Sequence, residues 1–171
     1  FETVAAGGGK IIQVVQGLKD DTWTSSTSQT WEDVTDLTVT TATLASSSST
    51  VLVYANFFGG GVGDYTYCKV VDGSGSDITG FVGASVGSRT ACSSGNFYMA
   101  GLTAADYMNM NINGNSGMWL DSPGVTTAQT YKVQMWCASA TTHYFNRSKG
   151  DGDSLYYGRP ASTITAWEIG A

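Results

Sequence analysis

Residues 119–136, WLDSPGVTTAQTYKVQMW, read as a Pro-Gly turn, a short polar run and then a segment in which every second residue is apolar. Tyr131, Val133, Met135 and Cys137 point to one side, and Lys132, Gln134 and Trp136 to the other. That period of two belongs to a strand with one buried face. Pro123 presets the backbone angle at a turn's second position and Gly124 accepts the positive angle that follows, so the chain reverses tightly here and does not start a helix. The alternation predicts Val133 and Met135 in a core and Lys132 and Gln134 outside it.

Similar signatures recur along the 171 residues. KIIQVVQ (10–16) is bounded by glycines, and LTVTTATL (37–44) is dominated by β-branched residues. SSSST then turns the chain into VLVYANFF (51–58), which is apolar on both sides and predicts a central strand covered on both faces. Past GGGVGD comes YTYCKVV (65–71), and the turn DGSGSD leads to weaker candidates at FVGASV (81–86) and NFYMAGL (96–102). MNMNINGN (108–115) alternates strictly, with Met108, Met110 and Ile112 expected on a core face. THYFNRS (142–148) and STITAWEI (162–169) follow, separated by a loop that begins KGDGDS. No segment of helical length carries apolar spacing of three and four. Many short strands between Gly- and Ser-rich turns predict an all-β fold, an antiparallel β-sandwich of jelly-roll type, as one domain over residues 10–171. Residues 1–9 are expected to be a linker from an upstream segment.

The 8 basic and 14 acidic residues give a net charge of -6, and the cations are scattered singly. Such a chain repels phosphate backbones and anionic lipid, so neither nucleic acid nor membrane is an expected partner. Charged residues make up 13% of the chain, about half the usual share. Its polar surface must come from Ser, Thr, Asn and Gly, which suits extracellular or virion proteins. No apolar run reaches the roughly 18 residues that a membrane-spanning helix needs. Cys68, Cys92 and Cys137 are too few for a disulfide framework and read as core thiols, with one Cys68–Cys92 bridge as the alternative.

Little chemistry is legible. His143 is the only histidine and lies along a strand with no nucleophile elbow anywhere in the chain, so a surface or sheet-face position is expected. Asp20, Asp21, Glu32, Asp33 and Asp36 read as solvated loop acids, since paired-carboxylate catalysis needs separations that a sequence does not supply. Asp151 and Asp153 imitate part of a calcium loop but lack the later bidentate glutamate, and the segment reads as a polar turn. Asn146-Arg147-Ser148 matches a glycosylation acceptor by chance. No catalytic residue, metal or cofactor is expected. The ligand-binding candidates are Tyr156, Tyr157 and Arg159 in LYYGRP (155–160), where tyrosine could stack on a sugar ring and arginine could fix its hydroxyls.

GGGKIIQVVQ, the Ser/Thr loop with its Trp and LTVTT, ASSSSTVLVYANF, YTYCKVVDGS, LDSPGVTTAQTYKVQ and STITAWEIGA together resemble a domain of bacteriophage tail-fibre and other virion-appendage proteins, marine and cyanophage-like ones in particular. The likeness runs in order from about residue 7 to 171, with Trp167 where an aliphatic residue would be expected. It implies a head domain of jelly-roll type on an extracellular virion, a homotrimer in contact with other virion proteins and with host-surface polysaccharide, and no enzymatic activity. Two alternatives share the composition: a capsid decoration or head-fibre protein, and a secreted carbohydrate-binding or C1q-like module. A depolymerase fits least, because the chain shows no internal repeat.

Overall fold

The computed structural model describes residues 9–60, 65–95, 110–139 and 142–170. The named elements are nine strands: β1 (Ile11–Lys19), β2 (Trp23–Ser25), β3 (Glu32–Thr40), β4 (Thr50–Gly60), β5 (Thr66–Asp72), β6 (Asn113–Asp121), β7 (Thr130–Cys137), β8 (His143–Phe145) and β9 (Ser162–Ile169). They form two antiparallel sheets, and the fold is a β-sandwich. The larger sheet runs β1-β9-β4-β8-β2, with β6 on the other edge of β4, and the smaller one runs β3-β7-β5.

Alternation along the strands builds the core. Val51, Val53, Ala55 and Phe57 of β4, Ile164 and Ala166 of β9, and Tyr131, Val133, Met135 and Cys137 of β7 are all buried between the sheets. Val34, Leu37 and Val39 of β3 and Cys68 and Val70 of β5 complete the opposing layer. The register read from residues 130–137 is therefore the one observed. Gly124 takes the expected positive angle, φ 70, the left-handed region that a side chain resists, but residues 122–124 are irregular backbone and the chain bends at 125–127 instead of in a tight Pro-Gly turn.

Three strand expectations need correction. FVGASV is a run of turns and irregular backbone; its Phe81 is 1% exposed and plugs the sandwich between sheets. The Phe81 ring stacks on Trp119 of β6 at 5.6 Å and on Tyr131 of β7 at 6.3 Å. Tyr131 also reaches across the sandwich to donate its hydroxyl to the Asp121 carboxylate at 2.8 Å. Burial, with that carboxylate beside it, pushes the phenol pKa far up, so this tie stays protonated. MNMNINGN is not a strand along its length either: the strand starts at Asn113 and continues to Asp121, because that segment faces β4 from Gly59 back to Val51. Residues 108 and 109, like NFYMAGL and the greater part of residues 1–9, lie outside the described residues.

The third correction concerns β4, which is central but not covered on both faces: Leu52, Tyr54, Asn56 and Phe58 on its outer side are only half-buried. On the smaller sheet the opposite holds. Gln134, expected outside the core, is 8% exposed, because the hairpin after β5 folds over it and Asp33 accepts its amide hydrogen bond at 2.7 Å. Asp72 closes that hairpin by accepting from the backbone N–H groups of Ser74 and Ser76, each at 2.9 Å.

The core assignment has a direct check in denaturant unfolding. Val133→Asp places an unpaired charge between the sheets and should cost several kcal/mol, enough to unfold a domain of ordinary margin. Phe81→Ala should cost about 3–5 kcal/mol although it lies in no strand. Gln134→Asp should cost about 1–3 kcal/mol through a lost buried hydrogen bond and repulsion from Asp33. A silent Phe81→Ala would show that the loop does not hold the sheets together.

Candidate functional site

The outer face of the larger sheet follows from its register. One row across β1, β9, β4 and β6 is Val14, Trp167, Leu52 and Leu120, the next is Gln16, Thr165, Tyr54 and Met118, and the third is Leu18, Thr163, Asn56 and Ser116. None of these positions carries a charge. Val14, Leu18, Met118 and Leu120 are each more than half exposed, and Ile12 lies beyond them on β1. Four strands about 4.8 Å apart make this a patch roughly 14 Å across. Soluble monomers rarely leave a contiguous apolar surface of that kind open.

The sheet is open because no part of the described chain packs on it, whereas the smaller sheet covers the hairpin end of its own outer face. There the 72–77 hairpin closes back on β5 through a Val71–Asp77 bridge, and Lys69 lies 4.5 Å over the Trp31 ring while pairing with Asp77 at 2.7 Å. Lys132 and Gln134 share Asp33. This difference between faces makes the open sheet the first candidate surface. Its signal in the sequence was the apolar character of both sides of KIIQVVQ and VLVYANFF. The contribution of Met118 and Leu120 was missed because β6 was read too early in the chain.

The LYYGRP loop forms the second candidate. Arg159 donates two hydrogen bonds to the Asp151 carboxylate, at 2.8 and 2.6 Å, and Arg147 approaches the same group at 3.3 Å. Arg159 foremost, and Arg147 with it, hold the Asp151 carboxyl below its ordinary pKa range. Tyr157 lies against the glycines of KGDGDS, where a Cβ on Gly150 would collide with its ring. Tyr157 and Arg159 thus come together with Asp151 and Asp153 around a cavity of about 480 Å³, while Tyr156 stands out in solvent and is not part of its lining.

Burial changes the expectation for His143 and agrees with that for Asn146. His143 is fully buried, its Nδ1 2.5 Å from the Thr66 hydroxyl, and so is no surface residue. Asn146 is buried too: its amide donates to the carbonyls of Lys19 and Asp21 at 2.8 and 3.1 Å, which leaves it engaged inside the fold. Among the described residues no disulfide forms; Cys68 and Cys137 are buried in the core, but Cys92 is only partly buried. No cluster of three or more His, Cys, Asp and Glu occurs among the described residues, and no helix is long and apolar enough to cross a membrane.

The arginine clamp sets a pH dependence. A carboxylate with a lowered pKa keeps its partners above the ordinary carboxylate range and loses them as pH falls through the depressed value. Asp151 has φ 44, which asparagine tolerates, so Asp151→Asn removes the charge without straining the turn. Hydrogen exchange in residues 149–160 should rise in that variant at neutral pH, and in the parent only under acid, with little change in Tm since the Arg159 side of the pair is exposed and the loop lies outside the core. Unchanged exchange would mean that the tyrosine packing alone holds the loop.

No family model matches the chain, and no curated protein matches it.

Proposed function

We propose that this chain is a non-enzymatic virion structural domain of jelly-roll type, a fibre or appendage head that assembles as a homotrimer and contacts the host surface. The observation that carries the reading is the uncharged, uncovered apolar face formed by β1, β9, β4 and β6. Burying such a face is worth about 25 cal/mol per Å² of apolar area, and no element among the described residues does it. The number of copies follows from the resemblance to tail-fibre domains, the face from the geometry. Two features support the jelly roll: sheet orders of β1-β9-β4-β6 and β3-β7-β5, and sequence neighbours such as β3 and β4, or β4 and β5, that lie in opposite sheets. The low charge suits an extracellular particle in contact with other virion proteins.

A secreted carbohydrate-binding module is the second reading, favoured by aromatic side chains on the smaller sheet. It needs no trimer, and that separates the two.

Light scattering of the purified chain at micromolar concentration should give three times the chain's mass. Val14→Glu combined with Leu120→Glu should give a folded monomer, since both side chains point outward and a charge there opposes only association. A monomeric parent would overturn the assembly face and favour the secreted module. A double variant that remains trimeric would move the interface to another surface.

A further inference from the structure

The outer surface of the smaller sheet carries a second concavity at the end away from its hairpin. Tyr67 of β5 and Trp136 of β7 are a cross-strand pair, with ring centroids 5.6 Å apart and planes inclined by 36°. Tyr65 stands just before β5, 54% exposed, its carbonyl accepting from the Ala138 N–H at 3.0 Å. The 86–90 turn supplies Ser88, Arg89 and Thr90 as the remaining wall, and the cavity between measures about 380 Å³. That wall is held in place: the Ser93 and Ser94 N–H groups both donate to the Cys68 carbonyl, and Gly83 N–H donates to the carbonyl of Cys92.

We infer that this groove binds a pyranose that bears a carboxylate, as a unit of an acidic polysaccharide. Three aromatic rings on the solvent side of a sheet offer flat apolar faces with polar rims, which suits the C–H face of a sugar whose edge carries hydroxyls. Ser88 and Thr90 place hydroxyl groups at that edge. The volume lies at the lower end of small-molecule sites, roughly 300–1,000 Å³. Charge decides the class of sugar. Five of the eight cations, Lys19, Lys69, Lys132, Arg147 and Arg159, are paired with aspartates. Arg89 forms no salt bridge among the described residues; its guanidinium donates only to the Val86 carbonyl, at 3.2 Å, within its own turn. A guanidinium held on its own turn, with no carboxylate partner among the described residues, is placed to take a planar carboxylate in two parallel hydrogen bonds.

The inference rests on the host-contact part of the proposed function and is independent of the trimer, because the groove is on the opposite sheet from the apolar face. Its test is a titration of the full chain, followed by NMR of the Trp indole N–H signals, with three probes: hexagalacturonate, neutral cellohexaose and a dT hexanucleotide. The acidic saccharide should shift the Trp136 indole saturably and bind at least about tenfold more tightly than the neutral one. Arg89→Gln should remove that preference, Trp136→Ala should abolish binding, and Trp136→Phe, which keeps a ring, should retain part of it at an unchanged Tm. Equal binding of both saccharides, a response unaffected by Arg89→Gln, tighter binding of the oligonucleotide, or no shift with any probe at 10 mM, which means an affinity weaker than about millimolar, would each overturn it. Light scattering on the same sample reports the oligomeric state, so failure of the groove and failure of the assembly face are read separately.

Discussion

Strand β4 is the constraint on which the sandwich depends. Its backbone is paired on both edges, to β6 along its length on one side and to β9 and then β8 on the other. A strand so enclosed satisfies its amides and carbonyls without water, which is what allows four consecutive inward side chains to be fully buried. The far end of β4 is secured by a polar knot. Asn146, at φ 56, donates its N–H to the Phe58 carbonyl at 3.0 Å. Ser162 donates to the Asn146 amide oxygen at 2.5 Å and accepts from Phe58 N–H at 3.1 Å. Together with the bonds to Lys19 and Asp21, this one asparagine joins the ends of β1, β4, β8 and β9. Gly60 is needed at the same corner, since a Cβ there would come within 2.6 Å of the Arg147 carbonyl oxygen.

With β4 in place, the two sheets divide the surface unequally. Gly17 brings β1 against β3: a Cβ at that position would run into the carbonyl oxygen of Thr38. That close approach shuts the sandwich along one side, and Phe81 plugs it between β6 and β7 on the other. The smaller sheet then spends its hairpin, Trp31 and three lysine–aspartate or glutamine–aspartate contacts on covering its own back. Among the described residues nothing comparable lies on the larger sheet. Each half-exposed Val, Leu or Met on that sheet represents on the order of 1 kcal/mol that burial would release. Several such residues in register are enough to drive association, and an edge strand as apolar as β1 would otherwise be an aggregation hazard.

What the sequence made legible follows the range of the forces involved. β7 could be read to the residue because its alternation is a local consequence of one buried face, and β1, β4, β5 and β9 announce themselves through β-branched runs between glycines and serines. The misreadings all lie where burial is decided by residues far away. Gln134 alternates as an outward residue and does face outward, yet Gly75 and Asp33 come from other segments to cover it. His143 is a polar residue in a polar-looking stretch, and contacts such as that with Thr66, from β5, go with its burial. Phe81 sits among glycines and serines, with nothing in its neighbours to show that Trp119 and Tyr131 will enclose it. MNMNIN carries a perfect period of two, but pairing with β4 begins at Asn113. Of the LYYGRP candidates, Tyr157 and Arg159 were legible as a pair, while the engagement of Arg159 by Asp151 required the loop's closure.

The position of the groove relative to the open face has a mechanical consequence. Between them lies the packed interior, with Val53 and Ala55 of β4 on one side and Val133 and Met135 of β7 on the other, sheets about 10 Å apart and no strand shared. The two outer faces share no strand, so a substitution confined to one removes no contact from the other. Residues that only line an outer face can therefore change without disturbing the opposite one, provided their inward neighbours are kept. Trp167 illustrates the separation: it stands outward on β9 in the row with Leu52, while its neighbours Ala166 and Glu168 are buried. Burial pushes the Glu168 carboxyl upward, but hydrogen bonds from Gln13 and the Ala45 N–H outweigh it and leave the group ionised, below its ordinary range. The inward half of β9 is thus held by charge-assisted bonds as well as packing. Its outward half carries a large, flat indole, which has more area to bury in the proposed assembly than the aliphatic residue expected at that position.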